Sequence, residues 1–271
     1  MKFAYPFQTR ETNQQLLSSQ GSETEIVPAL ARLGYDGVEL LIRNPKKANL
    51  NQLITLVDHN NLKIAALNTG PMVADDDLSF SSNDYSHREE AIKRVIELIP
   101  WAQSLAAPIT VGKLRGQISE TNKESSWKMM REAIERILFE AEKREVKLLI
   151  EPQNKVNMNN LNETTETLNF IREFNSPNLG IMLDTYHLNE EKASNSINKS
   201  IMEASQGLSF IHISDCNRLS PGDGYFNFKS ILNTLIDVNY DSYVSLEINQ
   251  QNQSLHTAKR ALTYLKSIID S

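Results

Sequence analysis

KLLIEPQ (147–153), LGIMLDT (179–185), LSFIHIS (208–214) and SYVSLEI (242–248) are four short apolar runs, each carrying near its end one group that binds metals: Glu151, Asp184, His212 and Glu247. Successive residues of a strand point to opposite faces, so the pairs Leu148/Ile150, Ile181/Leu183, Ile211/Ile213 and Val244/Leu246 share one face and the four polar residues share the other. If the four strands are parallel staves of a closed barrel, the apolar pairs face surrounding helices and the polar groups converge on the axis. Three carboxylates and an imidazole in a poorly solvated place repel one another and cost stability. A divalent cation resolves that conflict.

Working back toward the N-terminus, KFAYPF (2–7), DGVELLI (36–42), KIAALNTG (63–70) and PITVGKL (108–114) complete a set of eight candidate strands. Their starts are spaced by 34, 27, 45, 39, 32, 29 and 34 residues, each interval long enough for a strand, a crossover helix and two short loops. Sequential parallel βα units follow. The intervening stretches carry helix signals: Ser22-x-x-Glu25 and Ser86-x-x-Glu89 have capping-box form, and Gly34 stands where a helix should stop. No Pro/Ser-rich linker divides the chain, which predicts one domain over 1–271. Eight such units either close into a (β/α)8 TIM barrel or open into a doubly wound sheet. Residues 6–12, PFQTRET, lack the Gly-rich phosphate fingerprint of a dinucleotide-binding sheet, and polar residues gather at the C-terminal ends of the strands, where barrel enzymes build their sites. Both features favour the α/β barrel.

Composition sets the remaining bounds. The 271 residues carry 28 Lys+Arg against 34 Asp+Glu, a formal charge of −6, with 40% apolar residues. That acidic balance argues against nucleic acid as the partner, since DNA binders concentrate cations to displace counterions. Cys216 is the sole cysteine, so neither a disulfide framework nor a Cys-rich zinc site is available, and a cytoplasmic protein is expected. The start, MKFAYPFQTRETNQ, has no signal-peptide apolar stretch, and no run of about 18 apolar residues occurs to span a membrane.

Asp, Glu and His fill about one position in seven, so four strand ends carrying such a residue arise by chance roughly once in thirty. The wider context adds more. EPQN (151–154), LDTYH (183–187), IHISD (211–215), PGDGYFNF (221–228) and SLEIN (245–249) resemble the xylose-isomerase-like TIM barrels of the sugar phosphate isomerase/epimerase superfamily, the AP endonuclease family 2-like group. The resemblance covers essentially the whole chain. It implies that Glu151, Asp184, His212 and Glu247 ligate one divalent metal ion, Mn, Mg, Co or Zn. It also implies substrate contacts at His187, three past the Asp, and Arg218, six past the His.

The implied activity is that of a metal-dependent isomerase or epimerase of a sugar, sugar phosphate or keto-polyol. A Lewis-acidic ion makes the C–H beside a carbonyl acidic and stabilises a cis-enediolate. Glu151 and Glu247 are then the catalytic acid and base, one removing a proton and the other returning it on the opposite face. Three oxygen donors suit Mn²⁺, Mg²⁺ or Co²⁺, although Zn²⁺ binds more tightly in general. Departures are visible. Free-ketose epimerases of the family carry a Glu six residues beyond the first ligand, where this chain has Asn157, and Tyr225 stands where many relatives have His. The extra His ligands of the trinuclear endonuclease branch are missing, with Asn68 and Lys113 in the nearest segments.

Further candidates are weighed against plainer roles. Glu39 ends the second strand, either at the substrate rim or in a salt bridge. Lys113 either meets an anionic or hydroxylated substrate or is an ordinary surface lysine. Asn154 and Gln153 are polyol contacts, supports for the metal ligands or turn residues. ADDDLSFSSNDYS (74–86) is a solvated loop or a lid with Phe80 toward the site. Trp101 and Trp127 read as core, and Cys216 as a passive small residue. Three other readings stay open: a keto-inositol or keto-sugar dehydratase, an AP-endonuclease-like DNA repair protein, and a non-catalytic sugar-binding module. A homo-oligomer is compatible with the sequence, and specificity is expected in loops 8–22, 43–50, 70–86 and 113–122.

Overall fold

The computed structural model describes residues 1–19, 21–190, 197–250 and 254–269; residue 20 of the expected loop 8–22 lies outside them. Eight parallel strands close into a barrel in chain order: β1 (Lys2–Gln8), β2 (Gly37–Leu41), β3 (Lys63–Asn68), β4 (Ile109–Val111), β5 (Leu148–Ile150), β6 (Leu179–Asp184), β7 (Leu208–His212) and β8 (Tyr243–Ser245). The described helices are α1 (Glu23–Leu33), α2 (Leu50–His59), α3 (Gly70–Asp76), α4 (Tyr85–Leu105), α5 (Lys123–Glu142), α6 (Thr164–Arg172), α7 (Thr185–Glu190), α8 (Ile197–Ala204), α9 (Phe228–Asp237) and α10 (Ser254–Ile269). All eight expected strands form, which makes the fold the (β/α)8 TIM barrel.

The alternation of side chains divides the interior in two. Leu148, Ile150, Ile181, Leu183, Ile211, Ile213, Val244 and Leu246 belong to the large core between sheet and helices. Ala4, Ala65, Ala66, Leu149, Met182 and Phe210 form a separate cluster inside the barrel. Small alanines on β1 and β3 make room for Phe210 and Met182, whose full burial stabilises the fold by roughly 1.5–3 kcal/mol each. Leu149, Met182 and Phe210 stand two residues before Glu151, Asp184 and His212, so the polar groups form the next layer toward the C-terminal mouth. Register aligns them: Asp184 pairs with His212, and His212 with Ser245.

Gly34 ends α1 with φ 91°, the left-handed cap that the sequence suggests. Neither expected capping box forms. Ser22 occupies the N-cap of α1 without a side-chain cap bond, its hydroxyl pairing instead with that of Thr24 at 2.7 Å. At α4 the cap is Asp84, whose carboxylate accepts from the N–H groups of Ser86 and His87, so Ser86 sits inside the first turn. The stretch 74–86 also departs from the loop reading: α3 continues to Asp76, and Phe80 is fully buried in the core rather than turned to the site. Among the described residues no helix is long and apolar enough to cross a membrane.

Candidate active site

His212 ends β7 and is 1% exposed. Its Nε2 lies 3.0 Å from both carboxylate oxygens of Glu39, which β2 projects into the same layer. Glu39 is itself fully buried and accepts from Asn68 Nδ2 at 2.7 Å and Ser245 Oγ at 2.6 Å. Glu39 was expected either at the rim or in an ion pair. The structure favours the ion-pair alternative, with His212 as the partner: the carboxylate lies under the imidazole with both oxygens engaged, below the mouth and not at the rim. Such a carboxylate fixes the ring orientation and leaves the opposite nitrogen to face the cavity.

That opposite nitrogen, Nδ1, is buried and has no hydrogen-bond partner. Around it stand Glu151 Oε1 at 3.6 Å, Asp184 Oδ2 at 3.6 Å and Glu247 Oε2 at 3.5 Å. An orphaned ring nitrogen facing three carboxylate oxygens at this spacing fits one cation at their centre, since ligand bonds of about 2.0–2.3 Å place donors roughly 3–3.5 Å apart. Asp184, His212 and Glu247 offer ligand atoms within 4.8 Å of one another, as do Glu151, Asp184 and His187.

Electrostatics agrees with a cation-seeking centre. Burial raises the Glu151 carboxyl, but His212 and His187 outweigh it and hold the group below its ordinary value. Burial likewise opposes ionisation of Asp184, and Arg218 with His212 overturns it, leaving the carboxyl well below its usual range. Burial pulls down the His212 imidazolium, yet Glu39 and Glu247 drive it well above the usual histidine value. His187 moves the other way, lowered chiefly by its own burial.

Arg218 closes the cluster from the loop after β7. Its Nη1 donates to Asp184 Oδ2 at 2.5 Å and stands 3.0 Å from Glu247 Oε2, Nη2 donates to His187 Nε2 at 3.2 Å, and the guanidinium lies 4.4 Å from the Tyr186 ring centroid. Asn217 and Arg218 both adopt left-handed backbone, with φ 55° and 60°. Non-glycine residues enter that region at a cost, which here aims the guanidinium at the carboxylates. The loop carrying it is held by Asp215, whose carboxylate accepts the N–H groups of Cys216, Gly222, Gly224 and Phe226 at 2.9–3.1 Å.

A cavity of about 460 Å³ opens above these groups, lined by Glu151, His187, Arg218 and Glu247 and also by Lys113, Asn157, Leu16 and Leu17. Lys113 is exposed on a 3-10 turn, Lys113–Arg115. Asn154 stays out of the lining. It is 1% exposed, and its Oδ1 and carbonyl accept from the Asn157 N–H, closing a turn, while Nδ2 finds no partner. Gln153 donates to Glu151 Oε2 at 2.5 Å. Cys216 is a buried free thiol.

Two contributors are missing from the sequence reading. Gly112 leaves open the space that a Cβ would fill 2.6 Å from Glu151 Oε2 and 2.5 Å from Gln153 Nε2. Arg115 is fully buried and donates to the Glu151 carbonyl. A glycine on either side of KLR, in residues 112–116, was the available signal.

Known proteins similar to this chain include sugar epimerases. An L-ribulose 3-epimerase from Methylomonas sp. (strain DH-1) is 27% identical over 234 residues, 85% of this chain and 79% of its own. A D-psicose 3-epimerase from Ruminiclostridium cellulolyticum is 25% identical over 230 residues, 82% of this chain and 76% of its own. The crystal structure of a 3-keto-D-glucoside 4-epimerase from E. coli superposes with a TM-score of 0.81 over 98% of this chain and 99% of that one, at 18% identity, a likeness of fold alone. A model of the xylose isomerase-like TIM barrel matches residues 27–268, and the chain belongs to that family.

Proposed function

We propose that this protein is a divalent-metal-dependent epimerase of a keto sugar, with Glu151 and Glu247 exchanging the proton. The observation that carries the reading is the unpartnered His212 Nδ1 facing three carboxylate oxygens at 3.5–3.6 Å. Relatives named as 3-epimerases of ribulose and psicose support the sugar and the reaction type.

Glu151, Asp184, His212 and Glu247 would hold the ion, with Glu39 orienting the imidazole. Bound there, a cation such as Mn²⁺, Mg²⁺, Co²⁺ or Zn²⁺ supplies Lewis acidity to the sugar's carbonyl and hydroxyl oxygens. β5 and β8 are separated on the barrel wall by β6 and β7, so Glu151 and Glu247 approach the cavity from different sides. One takes the proton from the carbon beside the carbonyl, and the other delivers a proton to the opposite face, inverting that carbon. Arg218 donates to the oxygen on which negative charge grows, and His187 orients the carbonyl. Leu16 and Leu17 keep water from that part of the cavity, while Lys113 and Asn157 meet the far end of the sugar or a phosphate on it.

Incubation of the Mn²⁺-loaded protein with a panel of free and phosphorylated ketoses in D₂O tests this. The expected product is the epimer carrying one deuterium at the inverted carbon. A product lighter by one water would make the protein a dehydratase, and an unaltered panel without solvent exchange would contradict the catalytic reading.

A further inference from the structure

Arg115 is the bulkiest side chain that the fold encloses completely. Its partners are all neutral oxygens: Nε donates to Asn160 Oδ1 at 2.9 Å, Nη1 to the carbonyls of Gly112 and Glu151 at 2.9 Å each, and Nη2 to those of Asn160 and Leu161 at 3.0 and 3.4 Å. A buried charge is costly to desolvate, and with no carboxylate bonded to it that cost is offset by carbonyl dipoles and by the charges of Glu151 and Glu166 nearby. Burial pulls this guanidinium down to about 10. For filling space, an apolar side chain of similar volume does as well at less electrostatic cost. The specific work of Arg115 therefore lies in the three segments it joins: the end of β4 at Gly112, the end of β5 at Glu151, and residues 160–161.

The join bears directly on the candidate site. One nitrogen, Nη1, grips Gly112 and Glu151 together, and Gly112 is the residue whose absent Cβ leaves room for the Glu151 carboxylate. The Leu161 carbonyl that Nη2 reaches also accepts the Gln153 N–H at 3.3 Å, and Gln153 in turn donates to Glu151 Oε2. Backbone and carboxylate of Glu151 are thus held through the same guanidinium. We propose that Arg115 is a positioning residue, clamping β4 to β5 so that the Glu151 carboxylate is presented to His212 Nδ1 at the spacing a cation needs. This rests on the reading of Glu151 as a ligand and base.

Two variants test it from opposite sides. Arg115→Lys keeps the charge but not the planar fork that spans two carbonyls. Gly112→Ala leaves Arg115 intact and fills the space the carboxylate uses. Mn²⁺ affinity, measured by calorimetry well below each variant's unfolding temperature, is expected to fall 10–100-fold in both. The kcat per bound ion is expected to fall with KM for the sugar changed less than threefold. A merely structural role lowers the unfolding temperature and leaves Mn²⁺ affinity and kcat per bound ion within twofold of the parent; that result overturns the proposal. Should the parent protein bind no Mn²⁺, the metal reading fails on its own, and crystal structures of the two variants decide the clamp. Displacement of Glu151 Oε1 from His212 Nδ1 by more than about 1 Å supports it, and retention of the 3.6 Å separation overturns it.

Discussion

Glu39 and His212 illustrate how one residue's task depends on its neighbour's free valence. With Nε2 against the Glu39 carboxylate, the imidazole has a single nitrogen left to face the cavity, and that nitrogen is the one without a partner. Glu39→Gln preserves shape while weakening the acceptor, so Mn²⁺ affinity is expected to drop 10–100-fold with the fold intact, as titration calorimetry and circular dichroism would read. Glu151→Gln removes both a ligand and the candidate base: turnover should be lost and metal binding weakened, and retained turnover would remove Glu151 from the base's role. Arg218 behaves differently, since it binds the carboxylates from outside. Arg218→Ala should leave one ion per chain by elemental analysis yet cut kcat by about 10²–10³.

At the scale of elements, three carboxylate anchors shape the loops over the mouth. Asp75 accepts the N–H groups of Asn13 and Gln14 at 2.7 and 3.0 Å, tying the loop that brings Leu16 and Leu17 to the cavity onto α3. Next to it, Asp76 bonds to Arg43 and Arg94, and the Arg43 hydrogen bond leads in pulling its carboxyl down to about 2. A carboxylate that is more acidic folded than unfolded stabilises above its unfolded pKa, near 4, and loses that contribution as pH falls toward 2. Asp76→Asn should therefore lower stability by about 1 kcal/mol at pH 7, with the difference between variant and parent closing as pH drops from about 4 to 2 in calorimetric scans. Asp215→Asn places an NH₂ among four backbone donors and should cost about 2 kcal/mol, read as a shift in urea midpoint. The strands themselves were legible because their period-two alternation decides burial. The helix starts were less so: Ser-x-x-Glu suits Ser22 and Ser86 equally, and only the fold reveals that Asp84 caps α4 and that the Ser22 hydroxyl turns to Thr24.

Across the whole molecule, the legible part of the site is the part that strand parity controls. Glu151, Asp184, His212 and Glu247 meet because each stands two residues beyond an inward-facing position of its strand, a relation visible in the chain. Arg115 and Gly112 escaped because their meaning depends on partners dozens of residues away, and a Gly-Lys-Leu-Arg-Gly turn looks like surface from sequence alone. Glu39, expected at the end of its strand, lies in the middle of β2, and its depth relative to His212 follows from the stagger of β2 against β7, which no local pattern records. The central claim is that these four strand ends grip one ion. Anomalous diffraction from crystals soaked in Mn²⁺ tests it most directly: one peak is expected within about 2.0–2.4 Å of His212 Nδ1 and of oxygens from Glu151, Asp184 and Glu247. No peak there, with Arg218 still seated on Asp184, would contradict it.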